Sequence, residues 1–162
     1  MLRTPLPLNG TLGIKSVTHR SFNAIMPIEL KKVPYASLNS KQKEAHNFQK
    51  VSALLAEYGY STIRLQDDWQ GADFIAQHCG GVDFIKVQLK SRLVVDKKYM
   101  GKNLYVVFPH KEDWFIYDHD ALQASLANKG RIIGTESWKK SGAYSWPGVP
   151  AEFAREGILR KL

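Results

Sequence analysis

The chain has 162 residues, of which 44% are hydrophobic and 23% charged; those proportions suit a soluble globular protein with one real core. No apolar run approaches the roughly 20 residues of a membrane span, and the single cysteine, Cys79, excludes an internal disulfide and suits a reducing cytoplasm. Net charge is +8, from 23 Lys+Arg against 15 Asp+Glu, which favours a polyanionic partner, nucleic acid first.

Residues 1–36 read as an irregular arm, with Pro5, Pro7, Pro27 and Pro34 breaking any regular element. The first 28 residues contain Arg3, Lys15 and Arg20 but no acid. They are too polar for a secretory signal. A transit peptide fits the composition, but a loose arm, or a start codon upstream of Met26, is the simpler reading. Residues 37–162 read as one domain with a C-terminal extension.

A helix is expected over 40–58, capped by Ser40 or Asn39 and stopped by Gly59. Its apolar stripe is Phe48, Val51, Leu55 and Tyr58, and one turn further back the stripe reaches Glu44. A strand follows at 61–66, then a loop, DDWQG, at 67–71. A β-hairpin covers 72–78 and 82–91. The residues NLYVVFP (103–109) and DWFIYD (113–118) form a second strand pair, and DALQASLAN (120–128) a helix closed by Gly130. RIIGTESW suggests a last short strand, and a short helix is expected over 150–161. One helix, about five strands in a mixed central sheet and flanking helices make an α/β (mixed α+β) domain.

The first hairpin carries the chemistry. Gly80-Gly81 suits a two-residue turn in which both central residues take positive φ. Cys79 then pairs with Val82, and the constant index sum sets Asp73 across from Gln88, with their Cβ atoms about 5 Å apart. Lys90 falls on the same face. Phe74, Ala76, Ile85, Val87 and Leu89 occupy the other face, towards the core. Two carboxylates (Asp73 and Glu44, which the helix could lay nearby) and a carboxamide oxygen are hard ligands suited to Mg²⁺ or Mn²⁺. A lysine beside them can orient water and counter charge on a phosphoryl group.

These residues resemble the PD-(D/E)xK nuclease superfamily. The stretch ADFIAQ–VDFIKVQLKSR is most similar to the hairpin of archaeal Holliday-junction resolvases and restriction-endonuclease-like proteins. The likeness covers roughly residues 39–122. It implies a restriction-endonuclease-like core, divalent-metal-dependent cleavage of DNA phosphodiesters, and often a homodimer. It also implies that Asp73, Gln88 and the Leu89 carbonyl ligate the metal, that Lys90 positions the attacking water, and that Glu44 holds an ordered water or a second ion. Three features depart from the family pattern. Ala72 stands where Pro is usual, Gln88 where Glu is commoner, and a short basic segment, 93–102, where a helix is expected. The alternative is a catalytically inactive nuclease fold that only binds nucleic acid.

Residues 86–102 hold six basic residues against one acid. Among them Lys86, Arg92, Lys97, Lys98 and Lys102 are candidate phosphate contacts, against the reading of an ordinary solvated basic edge. Trp138, Lys139, Lys140, Tyr144 and Trp146 could stack on bases but more often form a small satellite core. His46 is expected on the surface, and His78, His110 and His119 lack zinc-like spacing.

Overall fold

The computed structural model describes residues 28–162 except Ile133, and only the backbone at Asp68 and Trp69. The arm expected over residues 1–36 therefore lies mostly outside the described residues. Pro34–Leu162 form one compact unit that carries every element below.

The first helix, α1, runs Ser40–Glu57. Asn39 caps it: its side chain accepts from the Gln42 backbone N–H, and the Gln42 side chain accepts in return from the Asn39 N–H, both at 2.9 Å. This reciprocal pair satisfies two of the donors a helix start leaves open. Gly59, at φ +79°, ends the helix in the conformation glycine tolerates best. Val51 and Leu55 are buried as the stripe demands, but Tyr58 is exposed. His46, expected on the surface, is half-buried beside the Tyr35 ring.

Among the described residues eight strands follow: β1 (Tyr60–Trp69), β2 (Ala72–His78), β3 (Phe84–Leu89), β4 (Val94–Asp96), β5 (Leu104–His110), β6 (Asp113–Asp118), β7 (Ala143–Ser145) and β8 (Arg160–Lys161). Three helices lie among them: α2 (His119–Asn128), α3 (Glu136–Ser141) and α4 (Ala151–Arg155). A six-stranded sheet has the order β1-β2-β3-β5-β6-β8, and β4 and β7 form a separate ribbon. Among the described residues only β3–β5 is a parallel pair; the other pairings are antiparallel. The fold is mixed α/β around a mostly antiparallel sheet.

The sheet is covered on both faces. Val51 and Leu55 of α1 pack on Phe74, Ala76, Val87, Val107 and Ile116. On the other face, Val106, Phe108 and Tyr117 meet Leu122 and Leu126 of α2, Trp138 of α3 and Phe153 of α4. Strands buried on both faces explain the apolar run VVF at 106–108.

Three expectations are corrected. Residues 67–69 continue β1 instead of forming a loop, and the chain reverses at Gln70-Gly71, both at positive φ. The short strand expected in RIIGTESW is absent among the described residues, because Thr135 starts a helix there: its hydroxyl accepts from the Trp138 N–H at 3.2 Å. The C-terminal helix is shorter than 150–161, ending at Arg155, and the chain then adds β8 to the sheet edge. The C-terminal aromatics join a core: Trp138 is buried, and Tyr144 and Trp146 pack against the same cluster.

Candidate functional site

The site grows from the register of β2 and β3. Phe74 pairs with Val87, Ile75 with Lys86, Ala76 with Ile85 and Gln77 with Phe84. This is the constant-sum pairing expected from sequence, but the turn differs. The His78 N–H donates to the Asp83 carbonyl at 2.8 Å, and Gly81 N–H donates back to the His78 carbonyl at 2.9 Å. The loop is therefore residues 79–82, and of its two glycines Gly81 alone has positive φ. Two residues were added symmetrically, so the sum survived.

The single bond from His78 to Asp83 sets the phase of the ladder, in which His78–Asp83 and every second pair from it are of the hydrogen-bonded class. Ala72 with Leu89 would be the next such pair beyond Phe74 and Val87. The ladder stops short of it. The Leu89 N–H donates instead to Asp73 Oδ2, at 2.6 Å. The Asp73 carboxylate thus occupies the gap where β2 and β3 part.

The other side of Asp73 is irregular too. Arg64 pairs with Phe74, yet the next pairing is Trp69 with Ala72. Residues 65–68 of β1 therefore face Asp73 alone. Such bulges bend a strand and re-aim the side chains beside it. Both neighbours of β2 thus depart from regular pairing at the same residue.

Gln88 is 6% exposed. Its Nε2 donates to Asp73 Oδ2 and, at 3.2 Å, to the Leu89 carbonyl, while its Oε1 accepts from the Tyr99 hydroxyl at 3.2 Å. Asp73, Gln88 and the Leu89 carbonyl therefore converge, joined by a carboxamide N–H₂. Tyr99, buried, is the residue that sequence reasoning missed. It closes a 3-10 turn, Lys97–Tyr99, inside the basic segment. Its ring lies against Gly71 and meets the His119 ring edge-on at 5.6 Å. Lys90 Nζ stands 5.2 Å from the centre of the same ring, and Lys98 Nζ 4.8 Å. Lys90 is anchored at its backbone, whose N–H donates to the Val107 carbonyl at 2.9 Å.

Glu44 lies elsewhere. It is exposed on α1 and paired with Arg64 of β1. Arg64 sits opposite Phe74 and over the Phe48 ring, at 5.6 Å, so the pair occupies the face that α1 covers. Gln88 is in register with Val106, on the other face. Among the described residues no group of three or more His, Cys, Asp and Glu is arranged to hold a metal ion.

The donor set nonetheless suits a hard cation. Asp73 supplies a carboxylate, Leu89 a carbonyl, and Gln88 an oxygen after a half-turn of its carboxamide, a torsion with two comparable orientations. The Tyr99 hydroxyl can accept from Nε2 as readily as it donates to Oε1. All three are the ligands that the resemblance implied.

The basic candidates separate. Lys86 Nζ donates to the Lys102 carbonyl, so both belong to a strand-to-loop tie. Lys97 lies over the Trp138 ring at 5.2 Å. Lys98 adds an ion pair to Asp96 at 3.8 Å. Arg92 is exposed and, among the described residues, makes no ion pair.

His119, set aside on spacing grounds, is fully buried. Its Nε2 accepts from the Asp96 N–H at 3.1 Å, and its Nδ1 faces Asp120 Oδ1 at 3.4 Å. Burial pushes its pKa below the usual histidine range, opposed by Asp120. The neutral ring carries its proton on Nδ1 and links β4 to α2. Burial pushes the Tyr117 hydroxyl far above the usual tyrosine range; it donates to the Val94 carbonyl.

No family model, curated protein or solved structure matches the chain. No helix among the described residues is long and apolar enough to cross a membrane.

Proposed function

We propose that this chain is a divalent-metal-dependent endonuclease that hydrolyses DNA phosphodiester bonds, with the restriction-endonuclease-like arrangement its hairpin resembles. One observation carries the reading. Asp73, the Gln88 carboxamide and the Leu89 carbonyl converge where the β2–β3 ladder ends, and Lys90 is the next residue along.

Asp73, Leu89 and Gln88 would hold Mg²⁺ or Mn²⁺, which when bound supplies positive charge to polarise a phosphodiester. Asp73 is the charged anchor of the set. Tyr99 fixes the Gln88 carboxamide from behind. Lys90 orients a water and offsets negative charge that grows on the phosphate. Glu44 contributes only by giving up Arg64.

The Glu44–Arg64 pair favours a second reading, a nuclease-like module that binds nucleic acid without cutting it. With Glu44 engaged elsewhere, Asp73 is the one carboxylate in the donor set. A cleavage panel separates the two: plasmid, junction, flap and single-stranded DNA are incubated with Mn²⁺, with an EDTA control. Metal-dependent products support the nuclease; binding without products on every substrate supports the inert module.

A further inference from the structure

Two clefts in the described residues are of a size to hold a ligand group. The larger, about 740 Å³, is lined mainly by apolar and aromatic groups such as Leu55, Tyr60, Ile85 and Tyr105 at the far end of the sheet. Nothing identifies its occupant. The smaller, about 410 Å³, begins at Lys90. Its walls bring together Lys90, Ser91 and Arg92 from the end of β3, Ser137 and Ser141 of α3, and Ser145 of β7.

Its construction suits a singly charged oxyanion. The walls are fixed to one another: Val94 pairs with Ser145, and the Trp146 N–H donates to the Leu93 carbonyl at 3.1 Å. The Ser137 hydroxyl donates to the Ala143 carbonyl at 2.6 Å, which secures α3 against β7, and the Ser141 hydroxyl donates within α3 to the Ser137 carbonyl at 2.7 Å. Ser91 and Ser145 make no side-chain hydrogen bond among the described residues, and Lys90 and Arg92 make no ion pair there. The cleft also contains one carboxylate, Asp96, which is already engaged: Oδ1 accepts from the Lys98 N–H at 3.0 Å, and Oδ2 faces Lys98 Nζ. Two cations without an ion pair and the two hydroxyls of Ser91 and Ser145 are donors in excess of acceptors, the requirement for a phosphate.

We propose that this cleft seats a backbone phosphate of the nucleic acid beside the one held at Asp73 and Gln88. The inference rests on the nucleic-acid reading above, and adds a direction: the strand runs from Lys90 across the β4–β7 ribbon towards α3. Arg92 forms the charged contact, and Ser91 and Ser145 donate to the phosphate oxygens. Lys90 is shared between cleft and site, which couples the grip on the flanking phosphate to the reacting one.

The test is anisotropy of a fluorescein-labelled DNA duplex over a salt series, in EDTA, so that binding is read without cleavage. Arg92→Glu is expected to weaken binding about tenfold or more and to lower the log–log salt slope by about 1–2. Ser145→Asp, which adds a carboxylate to the opposite wall, is expected to act in the same direction. Lys50→Glu, the same charge change as Arg92→Glu but on the exposed side of α1, should change affinity far less. Wild-type affinity in both cleft variants overturns the proposal, as does an equal loss in Lys50→Glu. Displacement of the DNA by poly-glutamate at equal charge also overturns it, since the cleft would then be reading charge and not phosphate. A protein that binds DNA through Arg92 and never cuts it contradicts the nuclease alone. A protein that cuts, with Arg92→Glu binding as wild type, contradicts the cleft alone.

Discussion

The Tyr99 hydroxyl donates to Gln88 Oε1, and through that bond a residue of the basic segment sets the orientation of a carboxamide on the central sheet. Both groups are buried, so neither can turn to water for a substitute. Tyr99→Phe leaves the carboxamide oxygen unpaired, at a cost of about 1–3 kcal/mol. Urea unfolding should register that loss with an unchanged m-value. No loss would mean that Tyr99 does not hold the carboxamide, since a turned Gln88 would lose the partner of its Nε2 in the same way.

Gly71→Ala attacks the same contact from the other side. A Cβ at Gly71 would lie 2.7 and 2.8 Å from two Tyr99 ring carbons, at a φ of +90° that side chains avoid. The strain alone costs about 1–3 kcal/mol, and the ring must also move. The expected outcome is a fall in melting temperature together with a change in the intrinsic tyrosine environment, read by near-UV circular dichroism. A melting temperature equal to wild type would show that Tyr99 has room to yield.

Gln88→Glu introduces a carboxylate, the commoner group in the nuclease pattern that the hairpin resembles. Without metal it sets two carboxylates against each other where an N–H₂ now bridges Asp73 and the Leu89 carbonyl. The variant should melt lower than wild type in EDTA. Mn²⁺ should raise its melting temperature more than it raises the wild type's, since tighter binding to the folded state stabilises it by mass action. An equal response of the two proteins to Mn²⁺ would remove residue 88 from the metal set.

His119 gives the fold an acid limit. Its folded pKa is lowered by burial, so the unfolded chain binds the proton more readily than the folded one. Stability therefore rises with pH. The contribution is fully present above the unfolded value of about 6.5 and is lost as pH falls below it, through the folded pKa. Urea midpoints measured downward from neutral pH should fall, and His119→Gln should flatten that limb. An unchanged acid slope in the variant would assign the loss to other groups.

The core of this arrangement was legible in the sequence. Period-two alternation in ADFIAQ and FIKVQL fixed which residues face α1, and a constant index sum predicted the pairing of Phe74 with Val87. The turn that seemed to justify the sum was wrong: residues 79–82 form a longer loop with the same parity. Parity, not turn type, decides which side chains share a face. Tyr99 was not legible because its role depends on a 3-10 turn that folds a basic loop back under Gln88. The same holds for Arg64, whose attraction for Glu44 is a contact between residues 20 apart. The bulge at 65–68 also escaped, since DDW looks like a loop and forms strand only through its pairing with Ala72.

The central claim is that Asp73, Gln88, Leu89 and Lys90 form one metal-dependent nuclease site. The most direct measurement is nicking of supercoiled plasmid in Mn²⁺ by the wild type, Asp73→Asn and Lys90→Ala, with DNA binding measured in parallel in EDTA. The wild type is expected to nick only with metal, and each variant to lose at least about 100-fold in rate while still binding DNA. Variants that cut as fast as the wild type would contradict the central claim.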